Sequence, residues 1–392
     1  MTPIPRCGVA SFIVCVASFS ALTSWATEMR VVPETALLDE AVQRPSARDL
    51  GISPGILGTG QYNAITDVAG VAVGHVTLSK GTQINTGATA ILPHGGNLYR
   101  DRVPAGFHQG NGYGKFAGST QVIELGELET PIILTNTLSV PQGMEAAISW
   151  TLKQPGNEDV RSVNAVVGET NDGFLNDIRG RHLRAADIEK AILAATSGPV
   201  RQGSVGAGRG TVSFGWKGGI GTSSRVLPAE LGGFTLGVLV QTNYGGILRV
   251  DGAPVGEALG QYFMKDVVDE GDADGSIIVV IATDAPLSER NLRRLGSRAV
   301  LAIGRTGSPI TNGSGDYVIA FSTAQEVRRA PNKVPLSGLA NSQMSPLFQA
   351  TVEATEEAIL NALFKATTVN GHNGTVEAID IEAVKRIVQT AR

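Results

Sequence analysis

Short, mostly apolar runs recur along the chain and predict buried strands. Pro131–Thr135 and Phe234–Gln241 are two of them, and Ile277–Ile281 consists of five consecutive β-branched residues. A continuous apolar run of this length fits a strand that is covered on both faces, whereas alternation of apolar and polar residues would indicate a half-exposed strand. The sequence therefore predicts at least one sheet with no solvent-exposed face.

Between these runs, apolar residues recur at helical spacing. One predicted helix covers Gln142–Lys153, with an apolar face formed by Met144, Ile148 and Leu152. A second covers Ala185–Ala195, with an apolar face formed by Ile188, Ala191 and Ile192. Alternating strands and helices imply sheets covered by helices, so periodicity alone predicts a mixed α/β fold.

A third predicted helix lies near the C-terminus, within Ser345–Thr367. Its apolar positions have helical spacing, and three acidic residues fall outside them: Glu353, Glu356 and Glu357. The simplest interpretation of these acids is a solvated helix face.

Composition narrows the class of protein without identifying it. The chain has 392 residues, which suffices for one large domain or two ordinary ones with a substantial core. Its net charge of −4 gives no electrostatic reason to expect nucleic acid as a partner. A small neutral or polar substrate fits this balance better.

The first 26 residues have the pattern of a secretory signal peptide. Arg6 supplies positive charge, Val9–Leu22 is apolar, and Ser24-Trp25-Ala26 places small residues at the expected cleavage positions. A membrane anchor is the alternative, but the apolar run is shorter than the ~20 residues of a spanning helix. We therefore predict a periplasmic or secreted protein that has no membrane partner after signal removal.

Both cysteines, Cys7 and Cys15, lie in this segment. The mature protein is thus expected to contain neither a disulfide nor a cysteine-ligated metal, and we expect no metal or organic cofactor.

The strongest chemical candidate is Ser276, which opens the β-branched run. It follows the acidic, turn-forming segment Glu270–Asp274 and Gly275. Because glycine has no Cβ, the Gly275–Ser276 bond can adopt angles that let the hydroxyl approach the preceding carbonyl. Attack there would turn the amide into an ester, and hydrolysis would leave Ser276 as a new N-terminus. Its α-amine, with an ordinary pKa near ~8, could then serve as base for its own hydroxyl.

These residues also admit simpler interpretations. Asp-Gly-Ser can be only a turn that enters a core strand. Ser223 and Ser224 are rival nucleophiles, although no Gly-x-Ser-x-Gly elbow surrounds them. His94 could be a base, but a turn-stabilising or pocket role suits it better, and the glycine-rich stretch His108–Lys115 lacks a phosphate-binding fingerprint.

Two polar residues follow predicted strands and admit two roles each. Glu169 could belong to a site or could accept hydrogen bonds at the strand end. Asn243 could donate its amide hydrogens to an oxyanion or could close a turn.

Several stretches, spread in order over about residues 48–365, resemble the D-aminopeptidase and β-peptidyl aminopeptidase family. Ser276–Leu287 is similar to the start of the family's small subunit, whose precursors cleave themselves before this Ser. The other family-like stretches are Tyr62–Gly70, Thr135–Thr137, Val166–Gly173, Lys217–Arg225, Gly237–Gly245, Asn312–Asp316 and Ala320–Thr323.

The resemblance implies a fold and a processing scheme. The fold would be a four-layer αββα sandwich of two stacked β-sheets flanked by helices. Residues 27–275 would form the large subunit and residues 276–392 the small one, both in one domain after removal of residues 1–26. Relatives of this kind assemble as homo-oligomers of cleaved pairs, so we expect the same here.

The resemblance also implies a site. Ser276 would be the nucleophile, Asn243 the oxyanion donor, and Glu169 the partner of the substrate's amino group. Ser314 and Asp316 would complete the hydrogen-bond network around the Ser276 amine, where some relatives carry Glu in place of Asp316. Asn171 would be a second substrate-binding residue. It falls where several relatives have Tyr, so a phenolic contact to the substrate or oxyanion is not expected here, although the amide could still donate a hydrogen bond.

The expected substrates are short peptides, amides or esters whose small N-terminal residue is a β-amino, D- or L-residue with a free amine. Two alternatives stay open. The chain could transfer acyl groups like ornithine acyltransferases, which use Thr at the new terminus, or it could be an uncleaved periplasmic binding protein with the same fold.

Overall fold

The computed structural model describes residues 44–265, 275–329 and 338–392. The predicted signal peptide and the acidic segment Glu270–Asp274 lie outside these residues. Helices of the described residues are α1 (Ser119–Leu125), α2 (Val140–Leu152), α3 (Ala185–Leu193), α4 (Val255–Ala258), α5 (Glu289–Arg305), α6 (Ser345–Phe364) and α7 (Ile381–Ala391). None of them combines the length and the hydrophobicity that a membrane span requires.

The strands form two large sheets and two small hairpins. The strands are β1 (Ala72–Lys80), β2 (Ile84–Leu92), β3 (Val103–Gly112), β4 (Phe116–Ala117), β5 (Glu127–Leu128), β6 (Ile132–Asn136), β7 (Val166–Thr170), β8 (Val212–Ser213), β9 (Trp216–Lys217), β10 (Ile220–Val226), β11 (Thr235–Asn243), β12 (Ser276–Thr283), β13 (Gly315–Ser322), β14 (Val369–Gly371) and β15 (Gly374–Val376).

The first large sheet has the order β1-β2-β6-β7-β4, and the second has the order β10-β11-β12-β13-β3-β5. Each contains one parallel pair, β6 with β7 and β12 with β13, among antiparallel neighbours. The hairpins are β8 with β9 and β14 with β15.

Strand β12 lies at the centre of the layered structure. Ile277, Val279 and Ile281 pack into a core shared with helices α5 and α6. Ile278, Val280 and Ala282 pack into a second core, shared with strands of the other sheet. The continuous β-branched run is therefore buried on both faces because one face meets helices and the other meets a sheet.

Helices α2 and α3 cover the outer face of the first sheet and complete the four layers. The predicted face of α3, formed by Ile188, Ala191 and Ile192, is confirmed. The predicted face of α2 is confirmed in part, because Met144 and Ile148 pack against the core beneath it. Small residues such as Gly143, Ala146 and Ala147 are buried there, while Leu152 is exposed. Small side chains let this helix approach the sheet closely, and its larger residues lie at the margin.

The predicted solvated face of α6 is wrong. Glu353 and Glu357 are buried against the fully buried Arg225 of β10. The guanidinium donates to Glu353 Oε2 at 3.1 Å and to Glu357 Oε2 at 2.8 Å. Glu356 is buried too and pairs with Arg305 of α5. Glu353 and Glu357 thus join α6 to its sheet through Arg225, and removing one partner of such a buried pair typically costs about 3–5 kcal/mol.

Candidate active site

Ser276 is the first residue of β12, at the end of the second sheet. It lies opposite Asn243 in the antiparallel pair with β11 and beside Gly315 in the parallel pair with β13. Residues directly opposite each other point to the same face, with Cβ atoms about 4.5–5.5 Å apart. Strand alternation places this face toward the other sheet, since Ile278 belongs to the core between the sheets.

The peptide bond between Gly275 and Ser276 is held in an unusual local geometry. The Ser276 hydroxyl donates to the carbonyl oxygen of Gly275 at 2.6 Å. The backbone N–H of Gly315 donates to the same carbonyl at 3.1 Å and to Ser276 Oγ at 3.3 Å. The Ser276 hydroxyl thus lies beside the carbonyl of its own preceding peptide, and a hydrogen-bond donor polarises that carbonyl.

The space around residue 275 requires glycine. A Cβ at this position would lie 2.8 Å from both Cα and Cβ of Tyr244. Real Cβ atoms do not approach other carbon atoms so closely, so a side chain here would displace the peptide from Ser276.

Asn243 is held by one specific hydrogen bond. Its Oδ1 accepts from the backbone N–H of Val212 at 2.9 Å. A backbone N–H can only donate, so this bond fixes which end of the amide is oxygen. The Nδ2 group therefore occupies the other side of the amide and keeps its hydrogens for another acceptor.

Glu169 is buried and lies at the end of β7. Its Oε1 accepts from the backbone N–H of Lys115 at 3.0 Å, and its Oε2 accepts from the Thr137 hydroxyl. Lys115 Nζ is 3.8 Å from Oε1, and the Lys115 side chain is about half exposed. The acid is buried, and among the described residues only the flexible Lys115 approaches it as a cation, so it can take a second cationic partner.

The segment Tyr113–Lys115 lies between Glu169 and the surroundings of Ser276. A Cβ on Gly315 would lie 2.1 Å from the Tyr113 carbonyl and 3.2 Å from Ser276 Oγ. A Cβ on Gly114 would lie 2.9 Å from Glu169 Oε1. Three consecutive residues thus reach from the Ser276 hydroxyl to the carboxylate, and glycine is needed at both close approaches.

Ser314 and Asp316 form a pair on the other face of the sheet. Ser314 Oγ donates to Asp316 Oδ1 at 2.8 Å. Tyr317 packs between the sheets, whereas Val318 packs on the helix side, so alternation places Asp316 on the helix side. Burial raises the pKa of Asp316 to about 6, and the Ser314 hydroxyl opposes that shift. Asp316 Oδ2 is buried without a hydrogen-bond partner among the described residues.

The rival candidates have structural partners elsewhere. Ser223 donates to the Ala354 carbonyl of α6 at 2.8 Å, and Ser224 donates to Asp67 at 2.6 Å. His94 donates from Nε2 to the Asp101 carbonyl at 2.8 Å and accepts from Gly96 N at 3.0 Å. The turn-stabilising interpretation of His94 is therefore the one that its contacts support.

With this geometry in place, comparison with known proteins shows the family. The sequence model of Peptidase family S58 matches residues 63–377. The chain belongs to peptidase family S58.

Several proteins similar to this chain are named as aminopeptidases. The beta-peptidyl aminopeptidase BapA of Sphingosinicella microcystinivorans is 41% identical over 377 residues, covering 90% of this chain and 94% of the relative. The solved Burkholderia sp. beta-aminopeptidase is 40% identical with a TM-score of 0.78, covering 88% of this chain and 99% of that structure.

The L-aminopeptidase D-Ala-esterase/amidase of Ochrobactrum anthropi is 37% identical with a TM-score of 0.79, covering 89% of this chain and 99% of that structure. It is described as a variant of the Ntn hydrolase fold. The predictions of an α/β sandwich and of an aminopeptidase are confirmed, so the chain is an aminopeptidase of family S58.

Asn171 is the predicted S58 site residue with the least support from the structure. It is exposed, and its Oδ1 accepts from Gly173 N at 2.8 Å. An Asn oxygen bonded two residues ahead closes a turn, so that oxygen is already used locally.

Sequence reasoning assigned no role to Gly315, Thr137 or Lys115, all of which contact the candidate residues. Gly315 lies inside a family-like stretch, but its contribution is a backbone N–H whose direction depends on strand pairing. Thr137 lies in another family-like stretch, immediately after β6, and a hydroxyl at a strand end was a signal that could have been used.

The raised pKa of Asp316 has a testable effect on stability. The unfolded carboxyl titrates near ~4, so between pH 4 and 6 the folded state binds more protons than the unfolded state. The contribution of Asp316 to the free energy of unfolding then falls as pH rises through this window. The comparison is made between Ser276→Ala and the same chain with Asp316→Asn added. As pH rises from 4 to 6, the free energy of unfolding of the double variant should increase by up to about 3 kcal/mol relative to that of Ser276→Ala alone.

Urea unfolding at pH 4, 5, 6 and 7 measures this difference. Burial also raises the pKa of Asp172 to about 6. Because both proteins contain Asp172, its effect on the free energy of unfolding cancels in the comparison. A constant difference across the window would contradict a raised pKa at Asp316.

Proposed function

We propose that the chain cleaves itself between Gly275 and Ser276, and that the new N-terminal Ser276 is the nucleophile of the aminopeptidase. The substrates would be short peptides, amides or esters with a small N-terminal residue, β-amino residues first among them. One observation carries this proposal: Ser276 Oγ lies 2.6 Å from the oxygen of the carbonyl it would attack.

Self-cleavage requires no group beyond those already described. Ser276 Oγ forms a bond to the Gly275 carbonyl carbon, and the Gly315 N–H stabilises the oxyanion. The C–N bond then breaks, and the nitrogen takes up the proton that the hydroxyl released. Water hydrolyses the resulting ester, leaving a Gly275 carboxylate and a Ser276 with free hydroxyl and amine.

In the mature enzyme the Ser276 amine would accept the proton of its own hydroxyl as Oγ attacks the substrate's carbonyl. Asn243 Nδ2, on the same face of the sheet, would donate to the oxyanion. The Ser314–Asp316 pair lies on the opposite face, so we assign it to the Ser276 nitrogen and not to the hydroxyl. Water then releases the acyl group.

Glu169 would hold the substrate's ammonium group. The carboxylate is buried, and Tyr113–Lys115 connects it to the nucleophile. A charge-assisted hydrogen bond to an ammonium selects substrates with a free N-terminus. The β-amino preference is supported by the names of the similar enzymes from Sphingosinicella and Burkholderia.

Export is proposed on the sequence pattern of residues 1–26 alone, with the periplasm or the exterior as destination. The assembly of large and small subunits into homo-oligomers likewise stays a prediction.

Denaturing electrophoresis of the purified protein, with N-terminal sequencing of each band, tests the proposal. Two fragments are expected, the smaller beginning Ser276-Ile277-Ile278. A panel of β-, D- and L-aminoacyl amides then ranks the substrates. One full-length band that hydrolyses these amides would refute the N-terminal nucleophile while leaving the aminopeptidase itself intact.

Replacing Glu169 by Gln is expected to raise KM for aminoacyl amides by about 10- to 100-fold, the usual weight of a hydrogen bond to a charged group. Self-cleavage should continue, because the acid contacts substrate and not the Gly275–Ser276 bond.

Glu129→Gln is the matched control, since Glu129 is a buried acid that accepts from Asn164 N at 2.7 Å away from the nucleophile. An uncleaved Glu169→Gln precursor would defeat this division of roles.

A further inference from the structure

The hairpin formed by β8 and β9 contains a lysine that the chemistry above does not use. Lys217 is fully buried. Its Nζ donates to the carbonyl oxygens of Gly208 and Gly218, both at 2.8 Å. An ammonium is costly to bury, and desolvation lowers the pKa of Lys217 well below its ordinary value. The hydrogen bonds to the two carbonyls offset part of the desolvation cost of this amino group.

The carbonyls that bind Lys217 belong to tightly packed backbone. A Cβ on Gly208 would lie 2.5 Å from Ile220 N, and a Cβ on Gly218 would lie 2.5 Å from Ser213 Oγ. The Lys217 amino group therefore ties together two closely packed backbone segments, one before the hairpin and one after it.

The same hairpin is bonded to the end of β11 that carries Asn243. Val212 N donates to Asn243 Oδ1 at 2.9 Å, and Phe214 N donates to the Tyr244 carbonyl at 2.8 Å. Behind the hairpin, Thr242 N donates to the Gly219 carbonyl at 3.0 Å. Three consecutive residues of β11 and its extension are thus held by the segment that Lys217 closes.

We propose that Lys217 is a positioning residue for the oxyanion donor. By fixing the two ends of the β8–β9 hairpin, it holds Val212 N–H against Asn243 Oδ1, and this bond aims Nδ2 at the developing oxyanion. The inference rests on the proposed role of Asn243. A donor that moves by about 1 Å loses much of its catalytic effect, so loosening the hairpin should slow the chemical step.

The test is a double-mutant cycle on kcat, measured per processed chain with a β-aminoacyl amide. Lys217→Met is expected to lower kcat at least about tenfold with little change in KM, because Nδ2 acts in the transition state. In an Asn243→Ala background the same change should lower kcat less than about twofold, since the residue it positions is gone. Equal losses in both backgrounds would overturn the proposal.

Arg328→Met is the matched control for loss of a buried cation. Arg328 is buried and donates to the Thr323 carbonyl at 3.2 Å and 3.3 Å, beyond the opposite end of β13. It should lose stability and keep the parent kcat. A fall in kcat as large as that of Lys217→Met would show a general effect of destabilisation and overturn the proposal.

Val212→Pro covers the case in which Lys217→Met does not fold, because it removes the N–H that bonds Asn243 and leaves Lys217 in place. It should reproduce the loss in kcat, and parent activity in Val212→Pro would refute the positioning role.

Unchanged kcat in Asn243→Ala alone would instead refute the proposed role of Asn243, and the inference with it. A kcat loss in Lys217→Met that persists without Asn243 refutes only the inference.

Discussion

Replacing Ser276 by Ala is expected to give a full-length chain without aminopeptidase activity. The substitution removes the only hydroxyl within bonding distance of the Gly275 carbonyl among the described residues, so the peptide bond has no internal nucleophile. It also prevents the new N-terminus that would supply the base. Self-cleavage and substrate hydrolysis should therefore be lost together, because the Ser276 side chain is needed for both reactions.

The test is to record the bands on denaturing electrophoresis and the rate of aminoacyl amide hydrolysis with the same preparation. Ser223→Ala is the control, since Ser223 was a rival nucleophile and its hydroxyl donates to the Ala354 carbonyl of α6 and accepts from Arg225. It should process and turn over like the parent. Two fragments from the Ser276→Ala chain would place cleavage elsewhere, and normal activity in that chain would remove Ser276 from the mechanism.

Replacing Asn243 by Ala should reduce kcat by about 10²- to 10³-fold, the usual effect of deleting an oxyanion donor. KM should change little, because the amide is expected to bind the developing charge more strongly than the ground-state carbonyl. The loss should appear in single-turnover acylation of processed enzyme.

Asn361→Ala is the control for removing a buried asparagine. Asn361 accepts from Ala47 N at 2.9 Å and donates to the Thr222 carbonyl at 3.0 Å, so both ends of its amide have structural partners. It should lower stability without lowering kcat. If Asn243→Ala affected only KM, Asn243 would contact substrate in the ground state and would not be an oxyanion donor.

The parts of the fold that the sequence predicted are those set by local pattern. The β-branched run after Ser276 could only be a strand buried on both faces, and the structure covers it with helices on one side and a sheet on the other. Ile188, Ala191 and Ile192 likewise form the buried face of α3 because their spacing matches a helix turn.

What local pattern could not show depends on partners far along the chain. Glu353 looks like a surface acid until Arg225, 128 residues earlier, is placed beside it. Lys217 lies in a family-like stretch, yet its role depends on two backbone carbonyls, which carry no residue-type signal. The Gly315 N–H is invisible for the same reason. Sequence pattern finds side chains with chemistry, whereas backbone donors and long-range pairs require the strand register.

One sheet contains strands from both sides of Gly275, and the strands that follow Gly275 lie in its middle. β12 and β13, which follow the proposed cut, lie between β11 and β3, which precede it. After a cut neither fragment could leave without breaking the sheet, so separation would amount to unfolding. Refolding would then change from a unimolecular to a bimolecular reaction, with a rate that depends on protein concentration. The cut protein would therefore keep the structure that the intact chain assembled. Once it is unfolded and diluted, the two fragments would not refold together at a useful rate.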